Sequence, residues 1–292
     1  MADKPEVKKA RPNIRQRRVA ARLKAWRAAT GKTTEEAAAQ LRWSAAKLNR
    51  FETAGQIAGP AEIIALAAIL GVDEEERDRV VTYAVKGQEG LVWWRAFADA
   101  DTGDDFADFM VTESDATDVW NKEALLMPGL LQDEDYMTRL MRAWNSDDDR
   151  IEARRELRRR RQERVTSGAL RIKAIIYEAA FHQPFVSRGQ KDHLLTMGEL
   201  PNVTWQVLPA EAAEDAPVKT EQGSPAAGFE AAYHLMKFEN EEDVSAVYVE
   251  NLTSGLYIES RPDVEAYTLN FERLERLALD PNASARWLER AR

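Results

Sequence analysis

Residues 33–52 read TTEEAAAQLRWSAAKLNRFE, and their pattern gives the clearest indication of how the N-terminal part of the chain folds. Thr33 and Glu36 have the spacing of a capping box, in which each side chain accepts a hydrogen bond from the other residue's backbone amide. The spacing predicts a short helix over residues 34–41. A turn at residues 42–43 follows it.

The flanking sequence predicts three further helices. Ser44 can cap a helix over residues 45–53. Upstream, residues 18–30 place apolar and basic side chains at helical spacing, which predicts a basic amphipathic helix. Downstream, Pro60 fits the first turn of a fourth helix, which Gly71 ends. The predicted order is a helix, a short helix, a turn, a third helix and a supporting helix. A helix-turn-helix unit has this arrangement.

The residues of this unit also resemble a known family. Residues 18–72 are similar to the Xre/Cro type of DNA-binding domain, and the similar motifs are Leu23 to Gly31, Thr33 to Ala38 and Ser44 to Glu52. Arg42 stands where the family has its turn glycine, and the glycine that follows the glutamate is shifted to Gly55. We therefore expect a positive φ at Arg42, at a cost on the order of 1 kcal/mol.

The resemblance implies that the third helix enters the major groove of double-stranded DNA with its N-terminal end toward the bases. The DNA-binding residues that it implies are Thr34, Ser44, Ala45, Ala46, Lys47, Asn49 and Arg50. Asn49 can read adenine, and Lys47 or Arg50 can meet guanine or phosphate. The two alanines offer only apolar contact with a thymine methyl group.

Some residues of the third helix have a structural alternative. In this fold the arginine at position 50 and the glutamate at position 52 often form ion pairs that join helices. For Arg50 an ion pair is as good an interpretation as DNA contact. For Glu52 the ion pair is the better interpretation. Leu48 and Phe51 are predicted to be core residues.

The charge distribution points to a polyanionic partner for the N-terminal end. The 292 residues carry a net charge of −9, but residues 1–50 carry 14 Lys and Arg against 4 Asp and Glu. Residues 51–150 carry 8 Lys and Arg against 23 Asp and Glu. We expect residues 1–17 to be a flexible basic arm that tracks phosphates or enters a minor groove, or else a solubilising tail.

Several classes of protein are excluded or disfavoured. The absence of cysteine excludes disulfides, thiolate metal sites and a cysteine nucleophile. No run of 18 apolar residues and no signal peptide is present, so a cytoplasmic protein without membrane contact is expected. The three histidines have no metal-pair spacing, and nucleotide-binding and nucleophile motifs are missing. The sequence predicts no metal, no cofactor and no enzymatic activity.

The rest of the chain predicts an α+β protein overall. Residues 73–90 are predicted as an acidic helical connector, and residues 91–292 as a mixed regulatory or partner-binding domain. An acidic loop is expected around Phe106 and Phe109. The strands are predicted at residues 118–125, 170–177, 203–208, 229–238 and 244–257. The helices are predicted at residues 132–144, 151–166, 189–200, 263–279 and 283–292.

A second resemblance covers about residues 90–292. The motifs are Trp93-Trp94, Met127 to Tyr136, Arg161-Gln162, Tyr177 to Ala180, Leu200 to Pro209, Val247 to Leu252 and Ala278-Leu279 with Ser284. They are similar to the uncharacterised domain that follows an Xre helix-turn-helix in many actinobacterial regulators. The resemblance implies a transcriptional regulator, commonly encoded beside a very small partner protein and in some cases antitoxin-like. The chain departs from that pattern in an acidic insertion at residues 210–228.

The arginine run at residues 154–164 has three interpretations. Seven arginines in eleven residues cannot share one helix face, so we favour ion pairs with the acidic segment 99–149 over a second nucleic-acid patch. An anionic effector held by this helix is the third interpretation.

Together these features predict a DNA-binding transcriptional regulator that acts as a homodimer. The second domain would dimerise, bind a small protein encoded nearby or sense a small molecule. The alternative is an antitoxin-like interaction module that mainly holds a small partner protein and binds DNA secondarily.

Overall fold

The computed structural model describes residues 12–93, 104–144, 147–213, 232–239, 245–251 and 254–291. The helices are α1 (Ile14–Ala29), α2 (Thr34–Gln40), α3 (Ala45–Glu52), α4 (Pro60–Leu70), α5 (Glu74–Trp93), α6 (Asp104–Asp115), α7 (Glu134–Trp144), α8 (Asp148–Thr166), α9 (Arg188–Gly198), α10 (Arg261–Leu277) and α11 (Pro281–Arg290). The strands are β1 (Asp118–Glu123), β2 (Arg171–Tyr177), β3 (Val203–Leu208), β4 (Tyr233–Lys237), β5 (Ala246–Glu250) and β6 (Gly255–Ile258). Short 3₁₀ helices occupy Gly129–Leu131, Glu178–His182 and Ala210–Ala213.

The chain divides into two units. The first comprises residues 1–98 and 106–112, and the second comprises residues 99–105 and 113–292. The described part of the first unit is helical, whereas the second combines a sheet with helices, so the α+β prediction is confirmed. The predictions for residues 1–11, for most of the insertion and for the side chains of the Trp93-Trp94 pair lie outside the described residues.

Helix α1 starts at Ile14, four residues before the predicted start at Arg18. The earlier start follows from a capping box that the sequence analysis overlooked. The side chain of Asn13 accepts a hydrogen bond from the amide of Gln16 at 3.0 Å, and the side chain of Gln16 accepts one from the amide of Asn13 at 3.0 Å. The predicted arm of residues 1–17 is therefore wrong for its last four residues.

The two arginines at this helix start are engaged inside the first unit. Arg15 donates to the carbonyl oxygen of Lys86, and Arg17 lies 2.7 Å from a carboxylate oxygen of Asp108. Asp108 also accepts from the amide of Ile14 at 2.8 Å. These contacts explain why the basic residues at this point are fixed in position instead of belonging to a flexible arm.

The predicted acidic loop around Phe106 and Phe109 is helix α6. Aspartate has a low helix propensity, which favoured the loop interpretation. The contacts of Asp108 with α1 join residues 94 and 91 positions apart. Sequence spacing alone cannot show such contacts.

The core of the first unit draws on α1, α3, α4 and α5, together with alanines of α2. Its buried side chains include Val19, Leu23, Trp26, Leu48, Phe51, Ile63, Leu66, Val80 and Ala84. The predicted core positions Leu48 and Phe51 are confirmed. Because Val80 and Ala84 belong to α5, the segment predicted as an acidic connector contributes its first half to this core.

The second unit is built on a six-stranded sheet in the order β3-β2-β1-β4-β5-β6. Strands β1, β2 and β3 are parallel, while β4, β5 and β6 are each antiparallel to the strand before them in the sheet. Asn121 at the centre of β1 faces Ala174 on one side and His234 on the other. The single segment predicted at residues 244–257 is a hairpin of β5 and β6.

The two faces of this sheet differ in chemistry. One face packs on α10, and its apolar core includes Ile175, Leu208, Tyr233, Leu235, Val247, Phe271 and Leu274. On the other face, β1 presents Val119, Asn121 and Glu123, of which the last two are polar and buried. The edge strand β3 is hydrogen-bonded to α11, because the hydroxyl of Ser284 accepts a hydrogen bond from the amide of Val207 at 2.9 Å.

Candidate nucleic-acid interface

Both helices of the predicted helix-turn-helix begin with the caps that the sequence predicts. The amide of Thr33 donates to a carboxylate oxygen of Glu36 at 2.8 Å, and the amide of Glu36 donates to the hydroxyl of Thr33 at 3.2 Å. These hydrogen bonds lower the pKa of Glu36. The hydroxyl of Ser44 accepts from the amide of Lys47 at 3.2 Å. The start of α3 is therefore fixed by local chemistry.

Two residues other than glycine hold a left-handed backbone around α3. Arg42 in the turn before the helix has φ 55°, as its replacement of the family glycine predicts, and Ala54 after the helix also has φ 55°. The shift of glycine to Gly55 leaves Ala54 at the strained position. A Cβ atom makes this conformation costly by about 1–2 kcal/mol at each residue.

The predicted DNA-binding residues lie on α2, on α3 and at the turn between them. Ser44, Ala46, Asn49 and Arg50 are exposed. The half-buried members of the set are Thr34, Ala45 and Lys47. The structure thus leaves the outward side of α3 available for contact with a ligand.

Lys47 is held by its own unit. Its ammonium group lies over the rings of Trp43 and Phe51, 4.5 and 5.4 Å from their centroids. It also lies 3.6 Å from a carboxylate oxygen of Glu62. Part of its charge is therefore already compensated.

Asn49 and Arg50 are engaged much less. Nε of Arg50 donates to the side-chain oxygen of Gln56 at 3.2 Å. In the part of the chain that the structure describes, no carboxylate pairs with Arg50, and the side chain of Asn49 makes no hydrogen bond. The ion-pair interpretation is wrong for Arg50 within these residues, and its charge faces solvent.

The ion-pair interpretation is correct for Glu52. Its carboxylate is almost fully buried and receives two hydrogen bonds from Arg27, at 2.6 and 2.7 Å. Donating these hydrogen bonds to Glu52 raises the pKa of Arg27. This bidentate pair joins α3 to α1 and thereby orients the candidate surface.

The arginine run on α8 is largely occupied by partners within the second unit. Arg155 pairs with Glu134 and Glu152, and Arg159 pairs with Glu152 and Glu156. Further along the helix, Arg161 pairs with Glu113, and Arg164 donates to the carbonyl oxygens of Glu113 and Ala116. Glu113 and Glu134 belong to the acidic segment, so the favoured ion-pair prediction is confirmed for Arg155 and Arg161.

Sequence reasoning missed a polar cluster on the sheet of the second unit. The side-chain nitrogen of Asn121 lies 2.8 Å from Nδ1 of His234 and 3.4 Å from a carboxylate oxygen of Glu123. Burial lowers the pKa of His234 to about 4, so its ring is neutral and Nδ1 can accept from Asn121. Burial raises the pKa of Glu123 to about 8. The only sequence signal was that Asn121 and Glu123 stand at alternate positions of β1 and therefore share one face of the strand.

No metal site or membrane-spanning helix is found in the described parts of the chain. No group of three or more histidine, aspartate or glutamate side chains among these residues is placed to hold a metal ion. Within the same residues, no helix combines the length and the apolar character needed to cross a membrane.

We expect the glycine variants Arg42→Gly and Ala54→Gly each to raise the free energy of unfolding by about 0.5–1 kcal/mol. Glycine removes the left-handed strain but costs entropy in the unfolded chain, so the net gain is smaller than the strain itself. The matched control is Ala39→Gly, at an exposed position inside α2. This variant should lower the free energy of unfolding by about 1 kcal/mol. Chemical denaturation measures all three, and a loss of stability in both turn variants would contradict the assigned strain.

We also expect the free energy of unfolding to fall by about 2 kcal/mol between pH 6.5 and pH 8, because of Glu123. Its folded pKa lies above the unfolded value of 4.5, so its contribution is present at low pH and is lost as the pH rises toward about 8. His234 acts in the opposite sense, because its contribution is present above its unfolded pKa of 6.5 and is lost as the pH falls toward about 4. Above pH 6.5 the His234 contribution changes by only about 0.4 kcal/mol, so the Glu123 contribution dominates.

Chemical denaturation of Glu123→Gln across this pH range tests that expectation. The variant should lose the decrease above pH 6.5, because a neutral amide replaces the neutral acid. The control variant Glu163→Gln changes an exposed residue of α8 and should keep the decrease in stability above pH 6.5. An identical pH profile for wild type and Glu123→Gln would show that Glu123 does not titrate in this range.

The comparisons with known proteins match both parts of the chain to families. Residues 18–80 match a helix-turn-helix domain, and residues 106–290 match the family described as a domain of unknown function, DUF5753. No curated protein and no solved structure matches the chain. The second match covers more than half of the 292 residues. The chain therefore belongs to the DUF5753 family and carries a helix-turn-helix DNA-binding domain ahead of the family's own domain.

Proposed function

We propose that this DNA-binding regulator is a sequence-specific transcriptional regulator of the Xre type that places α3 in the major groove of double-stranded DNA. The observation that carries the proposal is that Arg50 and Asn49 are exposed and have few contacts with the rest of the described protein. Both are exposed on α3, and neither is engaged by a carboxylate of the described residues. Elsewhere the basic helix α8 has most of its arginines bound to protein groups.

The seven proposed contact residues divide by chemistry. Asn49 can read adenine with two hydrogen bonds, and Arg50 can meet guanine or a phosphate. Ala45 and Ala46 offer methyl groups, which suit a thymine methyl group. The hydroxyls of Thr34 and Ser44 suit phosphate contacts, although Ser44 already accepts from an amide. Lys47 contributes a weakened charge at the edge of the surface because Glu62 shares it.

A homodimer is part of the proposal. One short recognition helix reads few base pairs, and two copies about 34 Å apart would read a pseudo-palindrome. The domain of residues 91–292 would dimerise, bind a small protein encoded nearby or sense an effector, and no reaction is assigned to it. The competing proposal is an antitoxin-like module that mainly holds such a partner. The two alanines and the shared charge of Lys47 favour this competing proposal, since they limit direct base reading.

We expect Asn49→Ala and Arg50→Ala each to weaken binding of the full chain to a selected cognate duplex by roughly 1–3 kcal/mol. Neither side chain supports the fold, because Arg50 has one neutral partner and Asn49 has none among the described residues. Fluorescence anisotropy titration measures the affinity, and thermal unfolding checks that each variant is folded.

The matched control is Arg160→Ala, which removes an arginine that pairs with Glu156 on α8. This variant should keep the wild-type affinity. Equal affinities for wild type and both α3 variants would exclude α3 as the recognition helix. Loss of affinity only through unfolding would exclude it equally.

A further inference from the structure

The chain turns back on itself directly after α3. The amide of Thr53 donates to the carbonyl oxygen of Asn49 at 3.0 Å, and Ala54 then holds its left-handed backbone. The amide of Gln56 donates to the carbonyl oxygen of Arg50 at 3.1 Å. A left-handed residue after the last turn of a helix reverses the chain in this way. The reversal places Gln56 beside Arg50.

A second hydrogen bond joins the same two residues through their side chains. Nε of Arg50 donates to the side-chain oxygen of Gln56 at 3.2 Å. Because the backbone of Gln56 is already fixed on α3, its side chain restrains the guanidinium group of Arg50. A long side chain that is restrained before binding loses less rotamer freedom when it binds. Gln56 therefore prepares Arg50 for a contact of defined geometry.

The hydrogen bond with Gln56 uses Nε of Arg50 and leaves both Nη groups for a ligand. Neither Nη group donates to a protein group in the parts of the chain that the structure describes. The guanidinium group is a planar fork, so Nη1 and Nη2 present two donors side by side. Guanine presents two acceptors, O6 and N7, side by side in the major groove. The free end of Arg50 thus matches the edge of a guanine.

The other cation of α3 is held in a different way. Nζ of Lys47 lies 3.6 Å from a carboxylate oxygen of Glu62 and 4.5 Å from the ring centroid of Trp43. Glu62 is itself fixed, because its carboxylate accepts from the amide of Gly59 at 3.2 Å. The partner of Lys47 neutralises its charge, whereas the amide partner of Arg50 holds a charge without neutralising it. Base reading by a cation of α3 therefore falls to Arg50.

We propose that Gln56 is a specificity-determining positioning residue, which holds Arg50 so that its Nη groups read O6 and N7 of one guanine in each half-site. Adenine presents a donor in place of O6, so a restrained fork discriminates against it. A phosphate contact carries no sequence information and needs no such restraint. The assignment rests on the proposed function, because it requires α3 in the major groove. It adds the base that Arg50 reads and the residue that orients Arg50.

The test uses the full chain and a cognate duplex selected from a random library. Each guanine of the site is replaced in turn by 7-deazaguanine, which lacks the N7 acceptor, and fluorescence anisotropy measures the affinity. We expect one replacement in a half-site to weaken binding of the wild type about fivefold, because one of two hydrogen bonds is lost. Inosine at the same position keeps O6 and N7 and should leave the affinity unchanged.

Variants separate the roles of the two residues. Arg50→Ala should bind the normal and the 7-deazaguanine duplex equally, because it has no donor for N7. Gln56→Ala should reduce the effect of 7-deazaguanine to about twofold, because the released guanidinium also meets phosphate. Its affinity for an unrelated duplex should stay at the wild-type value, since no charge is removed.

Two further variants serve as controls. Gln56→Glu keeps an acceptor oxygen for Nε, so it should restore the full effect of 7-deazaguanine, although its negative charge weakens binding to every duplex. Gln40→Ala removes another exposed glutamine of the first unit, one that accepts from Lys32, and should behave as the wild type. Thermal unfolding checks that each variant is folded.

The outcomes distinguish this inference from the proposed function. Selection of no specific duplex would overturn both. If a duplex is selected and Arg50→Ala weakens its binding, but no 7-deazaguanine replacement does, Arg50 contacts phosphate and only the guanine assignment fails. An effect of 7-deazaguanine that survives Arg50→Ala would give the guanine to another residue and overturn the inference. An undiminished effect in Gln56→Ala would overturn the role of Gln56 and leave α3 as the recognition helix.

Discussion

A charge buried in the protein must have a partner of opposite sign, and both units depend on this constraint. In the second unit the pair is Arg161 with Glu113, both of them almost fully buried. Burial alone would raise the pKa of Glu113, but the charge and hydrogen bonds of Arg161 outweigh it and lower that pKa. In the first unit, the ion pair of Arg27 and Glu52 joins α1 to α3 in the same way.

The constraint also determines where positive charge remains available. The carboxylates and carbonyl groups around α8 occupy most of its arginines, so the longest basic run of the chain carries little free charge for a polyanion. The first unit uses Arg15, Arg17 and Arg27 internally and leaves Arg50 facing solvent. The proposed DNA-recognition surface is therefore a small part of α3, where Arg50 has only Gln56 as a hydrogen-bond partner among the described residues.

Local patterns carried most of what the sequence could predict. The caps at Thr33 and Ser44 and the strain at Arg42 depend on residues a few positions apart, so spacing alone shows them. The early start of α1 also has a local cap, but helix α6 depends on contacts about 90 residues away, and no spacing rule reaches that far. The polar cluster of Asn121, Glu123 and His234 depends on the strand register, which pairs Asn121 with His234 although they are 113 positions apart. A run of arginines gives no sign of which partner each member takes.

Binding of the purified full chain to genomic DNA fragments at 50 and 200 mM salt tests whether the protein recognises a specific DNA sequence. Phosphate contacts weaken steeply over this range, while base contacts preserve a preference among sequences. We expect a discrete pseudo-palindromic site that remains occupied at 200 mM salt. Binding without sequence preference that disappears at 200 mM salt would contradict it and would favour the partner-holding module.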